Sequence, residues 1–193
     1  MAAVDPSIVR RPPFGANPLV GERGSDTRRR VLESALAVFG EVAYPDARVE
    51  LITERAGCSR PAFYQYFSSK DDVFWTLATE LGEAMVALAD QLEPVTPDDA
   101  GLERLTTWID DFMALHEAWA PVFRVFPDAT RGDKAQVSRS GSIAGHTAKA
   151  LLGAFDLPRT AGNKRLVSSL VGVLIRCSFY AEAAPAGMSR RPL

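Results

Sequence analysis

Apolar residues recur along the chain at spacings of three and four, the period of an α-helix with one buried face. Val31, Leu32, Ala35, Leu36 and Phe39 form the first such stripe. Ser25 stands where a cap is expected, and the stripe stops near Tyr44-Pro45, because the residue before a proline resists the α conformation. Val49, Ile52 and Ala56 mark a short second helix, with Asp46 expected as its cap and Gly57 as its C-terminal stop. Ser59 caps a third, with Arg60 and Pro61 in its first two positions and Phe67 at its close. A proline is harmless there, since first-turn N–H groups have no partner within the helix. Ser69 and Asp72 have the spacing of a capping box for a long fourth helix along Leu77, Leu81, Met85, Leu88 and Leu92.

The remainder repeats the same period. Leu102, Leu105, Ile109, Phe112, His116 and Trp119 form one helix, which Pro121 ends or kinks before a short piece, "VFRVF". Val137, Gly141, Ala144, Ala148, Leu151 and Phe155 mark the next. Pro158 is expected to start the last, "LVSSLVGVLIRCSFY", which is apolar on more than one face. No alternating pattern of useful length suggests a strand. The predicted class is all-α: an N-terminal three-helix helix-turn-helix head followed by a helical C-terminal domain. The boundaries expected are a flexible Pro/Gly-rich arm over 1–24, the head over 25–70 and the second domain over 71–193.

Composition narrows the function only slightly. The 193 residues carry 22 basic and 24 acidic side chains, a formal net charge of −2, so bulk charge offers no support for nucleic-acid binding. Any DNA-facing surface must come from local clustering, as at Arg28, Arg29 and Arg30. No apolar run is long enough to span a bilayer, and the N-terminal stretch lacks the apolar core of an export signal. With only two cysteines, Cys58 and Cys177, a reduced cytoplasmic protein is expected. Those cysteines, with His116 and His146, are candidate catalytic groups, but they form no recognisable arrangement. No phosphate loop or metal-ligand spacing is present either. We therefore expect no enzyme activity, no cofactor and no metal.

The segment "AGCSRPAFYQYFSSK" concentrates the chemistry. Phe63 and Phe67, four apart, should turn inward. At about 100° per residue, Pro61 and Gln65 then face outward, flanked by Arg60 with Tyr64 and by Ala62 with Tyr66. In a helix-turn-helix the second helix enters the major groove. Arginine can read guanine, glutamine can read adenine, and tyrosine hydroxyls can donate to phosphates. Lys70 adds charge at a helix start that already favours an anion. Spacing alone leaves a second reading open: a helical hairpin with exposed tyrosines and no DNA partner, in a ligand-binding or scaffolding protein.

Residues 27–74 resemble the DNA-binding head of the tetracycline-repressor (TetR) family. The motifs are "RVLESALAVF", "VELITERAGCS" and "AFYQYFSSKDDVF". The resemblance implies a transcription regulator in which Tyr64 and Lys70 contact phosphates while Arg60, Pro61 and Ala62 approach bases. Arg28, Gln65 and Tyr66 complete the expected DNA-facing set. Ala43 replaces the usual glycine, and Ala47 and Arg48 stand where a Thr-Ser pair is common, with Arg48 a charged substitute for a lost hydroxyl contact. Pro61 and Ala62 replace Gly-Thr, which shifts the operator sequence expected. Arg10 and Arg11 either reach a minor groove or belong to a solvated tail.

The resemblance further implies a homodimer on a palindromic double-stranded operator, released by a small effector, with no membrane partner. Met85, Trp108, Phe112, Trp119, Phe123, Phe126 and Phe155 are candidates to line an apolar effector cavity, or simply to fill the core. His116 is either a core histidine or the polar handle of that cavity. Ser168, Ser169 and Gly172, among Leu170, Val171 and Leu174, suit close approach of a second subunit. The ending "PAGMSRRPL" leaves no room for the further C-terminal helix common in the family, so a weaker dimer, a differently built one or a truncated chain is expected.

Overall fold

The computed structural model describes residues 22–129 and 134–183, all-α with no strand among them. The helices are α1 (Glu22–Glu41), α2 (Val49–Ala56), α3 (Arg60–Tyr66), α4 (Lys70–Asp90), α5 (Asp99–Ala118), α6 (Ala120–Ala129), α7 (Lys134–Ala154) and α8 (Ala161–Ala183). No described helix is long and apolar enough to cross a membrane. The chain divides into two compact units, one ending at Leu77 and the other beginning at Ala78.

In the first unit α1, α2 and α3 pack on one another around Val31, Ala35, Phe39, Ile52, Phe63 and Phe74. Local chemistry sets each boundary. Gly57 stops α2 at φ 61°, and the Cys58 N–H returns to the Thr53 carbonyl at 3.0 Å, the bond that closes a Schellman motif. The Ser59 hydroxyl accepts the Ala62 N–H at 3.3 Å and starts α3. Ser69 accepts from the Asp72 N–H at 3.1 Å, while the Asp72 carboxylate reaches back to Ser68 rather than to Ser69.

Three expected boundaries move. Helix α1 begins at Glu22, before Ser25. Asp46 does not cap α2: it is taken up in a 3-10 turn, Tyr44–Asp46, with Pro45 at its second position, and Arg48 becomes the cap residue with no side-chain capping hydrogen bond. Pro158 does not open the last helix either. It lies in the preceding loop, and the Thr160 hydroxyl caps α8 by accepting the Asn163 N–H at 3.1 Å.

The second unit has its core at Leu88, Trp108, Phe112, Leu151, Leu152, Val167 and Val171. Trp108 stacks on Phe112 and donates its indole N–H to the Leu88 carbonyl at 2.9 Å. Asp98 caps α5 through the Gly101 N–H at 2.8 Å. A side chain at 101 is excluded, because its Cβ would lie 1.9 Å from the Thr96 carbonyl oxygen of the folded-back loop. Pro121 sits in the first turn of α6, where proline is tolerated.

Candidate nucleic-acid interface and apolar cavity

Helix α3 shows the predicted orientation. Phe63 and Phe67 are 0% and 2% exposed, whereas Tyr64 is 48% exposed. Arg60, Pro61 and Gln65 are also exposed, and Ala62 and Tyr66 are half-buried on its shoulders. The Phe63 and Phe67 rings lie 5.8 Å apart, and the Arg28 guanidinium sits 5.5 Å from the centre of Phe67. Arg48 is exposed at the start of α2.

Lys70 is held more tightly than its sequence position suggests. Its ammonium donates to the Tyr44 carbonyl at 2.6 Å and lies 4.5 Å above the Tyr44 ring. Tyr44 in turn donates its hydroxyl to Asp71. Burial, together with that hydrogen bond and the Asp71 charge, pushes the phenol far above its ordinary range. The 3-10 turn and the start of α4 are thereby fastened together. The sequence reading missed this partnership because 26 residues separate Tyr44 from Lys70. It also missed Glu50, whose carboxylate meets the Arg60 guanidinium at 2.6 Å. A hydrogen bond with Tyr64 and the charge of Glu50 push Arg60 above its already high value.

In the second unit an apolar cavity of about 290 Å³ is lined by Leu81, Gly82, Met85, Phe123, Phe126 and Ile143, among others. Three of the eight candidate cavity residues, Met85, Phe123 and Phe126, are therefore brought together. Trp108 and Phe112 lie in the packed core, and Phe155 packs against it. Trp119 is half-buried at the C-terminal cap of α5. His116 is 1% exposed and stacks on the cavity residue Phe123, with ring centres 4.2 Å apart. Burial pushes its imidazole below the ordinary histidine value, which favours the neutral ring. Arg10, Arg11 and the ending "PAGMSRRPL" lie outside the described residues, as does the side chain of Cys177.

With this geometry in place, comparison with known proteins is decisive for the head. Residues 31–75 match the sequence model of the bacterial regulatory proteins of the tetR family. The head carries the sequence pattern of that family. It is similar to an HTH-type transcriptional repressor of Mycobacterium tuberculosis, 38% identical over 64 residues, covering 33% of this chain and 34% of that protein. The chain is also similar to the HTH-type transcriptional activator FasR of Mycolicibacterium smegmatis, 27% identical over 133 residues, 68% of this chain and 60% of that one. The chain spans about a third of the length of the first curated relatives it matches. In fold it is similar to a transcriptional regulator of Aquifex aeolicus, with a TM-score of 0.62 at 20% identity, covering 86% of this chain and 90% of that one. The sequence relatives of the head are thus HTH-type transcription regulators.

Proposed function

We propose that the protein is a sequence-specific DNA-binding transcription regulator, a repressor released by a small apolar effector. Residues 25–70 are the DNA-binding head and 71–193 the effector-binding and dimerisation part. The observation that carries the reading is the division of α3: two phenylalanines turned into the tetR-type head, with Arg60, Tyr64 and Gln65 left to solvent. Arg60, Pro61 and Ala62 approach base edges. Tyr64, Tyr66, Lys70, Arg28 and Arg48 serve the phosphates, with Gln65 at the groove-facing edge.

The apolar, nearly hydroxyl-free wall around Met85, Phe123 and Phe126 supports a compact apolar effector, with the imidazole of His116 behind Phe123. On α8, Leu166, Leu170 and Val173 expose an apolar stripe with Ser169 and Gly172 beside it, which supports a homodimer. A two-fold pair would present two α3 helices to half-sites roughly 34–36 Å apart on a palindromic operator. Effector binding would favour a conformation in which the pair no longer matches successive grooves. The chain works without a cofactor or catalytic step, among cytoplasmic DNA.

A gel-shift series with genomic duplexes, including the region upstream of the protein's own gene, tests the reading. Retardation of at least one fragment is expected, weakened roughly fivefold by Tyr64→Phe, the loss of about one hydrogen bond. Failure to retard any fragment refutes it.

A further inference from the structure

Arg60 occupies the first position of α3, at the end of the helix that leads into the groove. It is 55% exposed, yet its guanidinium is fixed at 2.6 Å to Glu50, itself 51% exposed. Glu50 lies in the first turn of α2, where the helix N-terminus favours a carboxylate. Buried Ile52 and Ala56 anchor α2, buried Phe63 anchors α3, and the Gly57 turn joins them. Both ends of the pair are thus mounted on rigid elements. Tyr64 stands one turn along α3 from Arg60 and is exposed like it.

An ion pair so exposed contributes little to folding stability. A carboxylate on a surface meant for DNA also repels phosphates. Its effect must therefore be sought in what it does to Arg60. An unrestrained arginine is a long flexible cation that will accept any phosphate. Guanine recognition instead requires the planar fork to arrive in one orientation. Glu50 restricts that orientation and also cancels the charge that would make Arg60 a general phosphate contact.

We propose that Glu50 is a specificity-determining positioning residue, whose carboxylate holds the Arg60 guanidinium for a base edge and lowers its use on phosphates. The proposal rests on the DNA-binding reading above. Nothing in it requires Glu50 to touch DNA. Its signature is a change in the ratio of specific to non-specific binding, carried through Arg60.

The test starts with the full-length protein selecting from a pool of randomised duplexes. The enriched duplex and a scrambled one are then titrated by fluorescence anisotropy across a salt series. The proteins compared are the wild type, Glu50→Gln, Glu50→Ala, Arg60→Ala and the double variant Glu50→Ala/Arg60→Ala. Thermal melts check folding, and Glu50→Gln, which keeps the size and an acceptor oxygen, stands in if Glu50→Ala does not fold. Glu50→Ala should bind the scrambled duplex more tightly. Its log–log salt slope should steepen by about 0.9, the release from one additional phosphate contact. Its specific-to-scrambled ratio should fall roughly tenfold, the scale of one disordered bidentate base contact. In the Arg60→Ala background, removing Glu50 should leave that ratio unchanged. If Glu50→Ala keeps the wild-type ratio while still binding the enriched duplex, the positioning role is refuted and DNA binding stands. A Glu50 effect that persists without Arg60 also refutes it, by showing that Glu50 meets the duplex directly. If the wild type enriches no duplex, the DNA-binding reading fails and this proposal with it.

Discussion

Phe63 and Phe67, in and just after α3 of the head, and Phe123 and Phe126, in α6 of the second unit, are pairs about one turn apart, yet their surroundings differ. Phe63 and Phe67 are closed off from water, and the polar side chains of α3 are displaced outward by their packing. Phe123 and Phe126 border a hollow of about 290 Å³. The head is filled so that its surface chemistry is presented in one orientation, whereas the second unit leaves space that a molecule can enter. The cations follow the same division. In the head, Arg55 pairs with Glu41, Arg60 with Glu50, and Lys70 with carbonyls of the 3-10 turn. The cavity wall has no charged side chain among its lining residues. A binding surface for a polyanion needs cations held in register, while a cavity for an apolar ligand needs none.

This contrast can be broken most forcefully at Phe63. Phe63→Ala is expected to cost about 3–5 kcal/mol, because the closed packing of the head leaves little room to collapse onto the vacancy. Denaturant unfolding checks this, and a loss below about 1 kcal/mol would mean that the head is as loosely filled as the second unit.

His116 gives the next largest effect. Burial depresses its imidazole below 6.5, so the unfolded chain takes up the proton more readily than the folded one. The contribution of the neutral ring is complete above that value and declines as pH falls below it towards the depressed folded value. The slope is at most about 1.4 kcal/mol per pH unit. Urea midpoints measured across this window should fall with acidification in the wild type and more shallowly in His116→Leu.

The smallest change in stability, and the sharpest comparison of the two units, comes from Gly82→Ala. The new Cβ would lie 2.6 Å from the tip of Ile143, a flexible end that can move. Replacing a helix-interior glycine gains roughly 0.5–1 kcal/mol, which offsets that displacement. Stability should stay within about 1 kcal/mol while the cavity shrinks. Uptake of an apolar naphthalene-based dye should therefore weaken without a matching change in melting temperature. Unchanged dye binding would show that the hollow beside Met85 is not where apolar molecules enter.

The head was legible almost residue by residue. Ser59, Gly57, Phe67 and the Ser69 cap act within a few residues of themselves, so their spacing alone predicts their roles. The boundary errors, in both units, were local competitions. Pro45 took Asp46 into a 3-10 turn, and Thr160 outcompeted Pro158 as the start of α8 because its hydroxyl can accept the Asn163 N–H. In the second unit the sorting of the aromatic side chains was not legible. Trp108 and Phe112 share the apolar face of α5 with His116, and nothing in their spacing tells a packed core from a cavity wall.

The sequence by itself determined the all-α class, the helix-turn-helix, the inward phenylalanines and the outward Arg60, Tyr64 and Gln65, since each follows from helical period and short-range capping. Tertiary structure alone decided that Glu50 meets Arg60, that Lys70 meets the carbonyl of Tyr44, and that Met85, Phe123, Phe126 and Ile143 enclose one space. Those meetings join residues on different helices. Their distances depend on how whole helices pack, which no local pattern along the chain encodes.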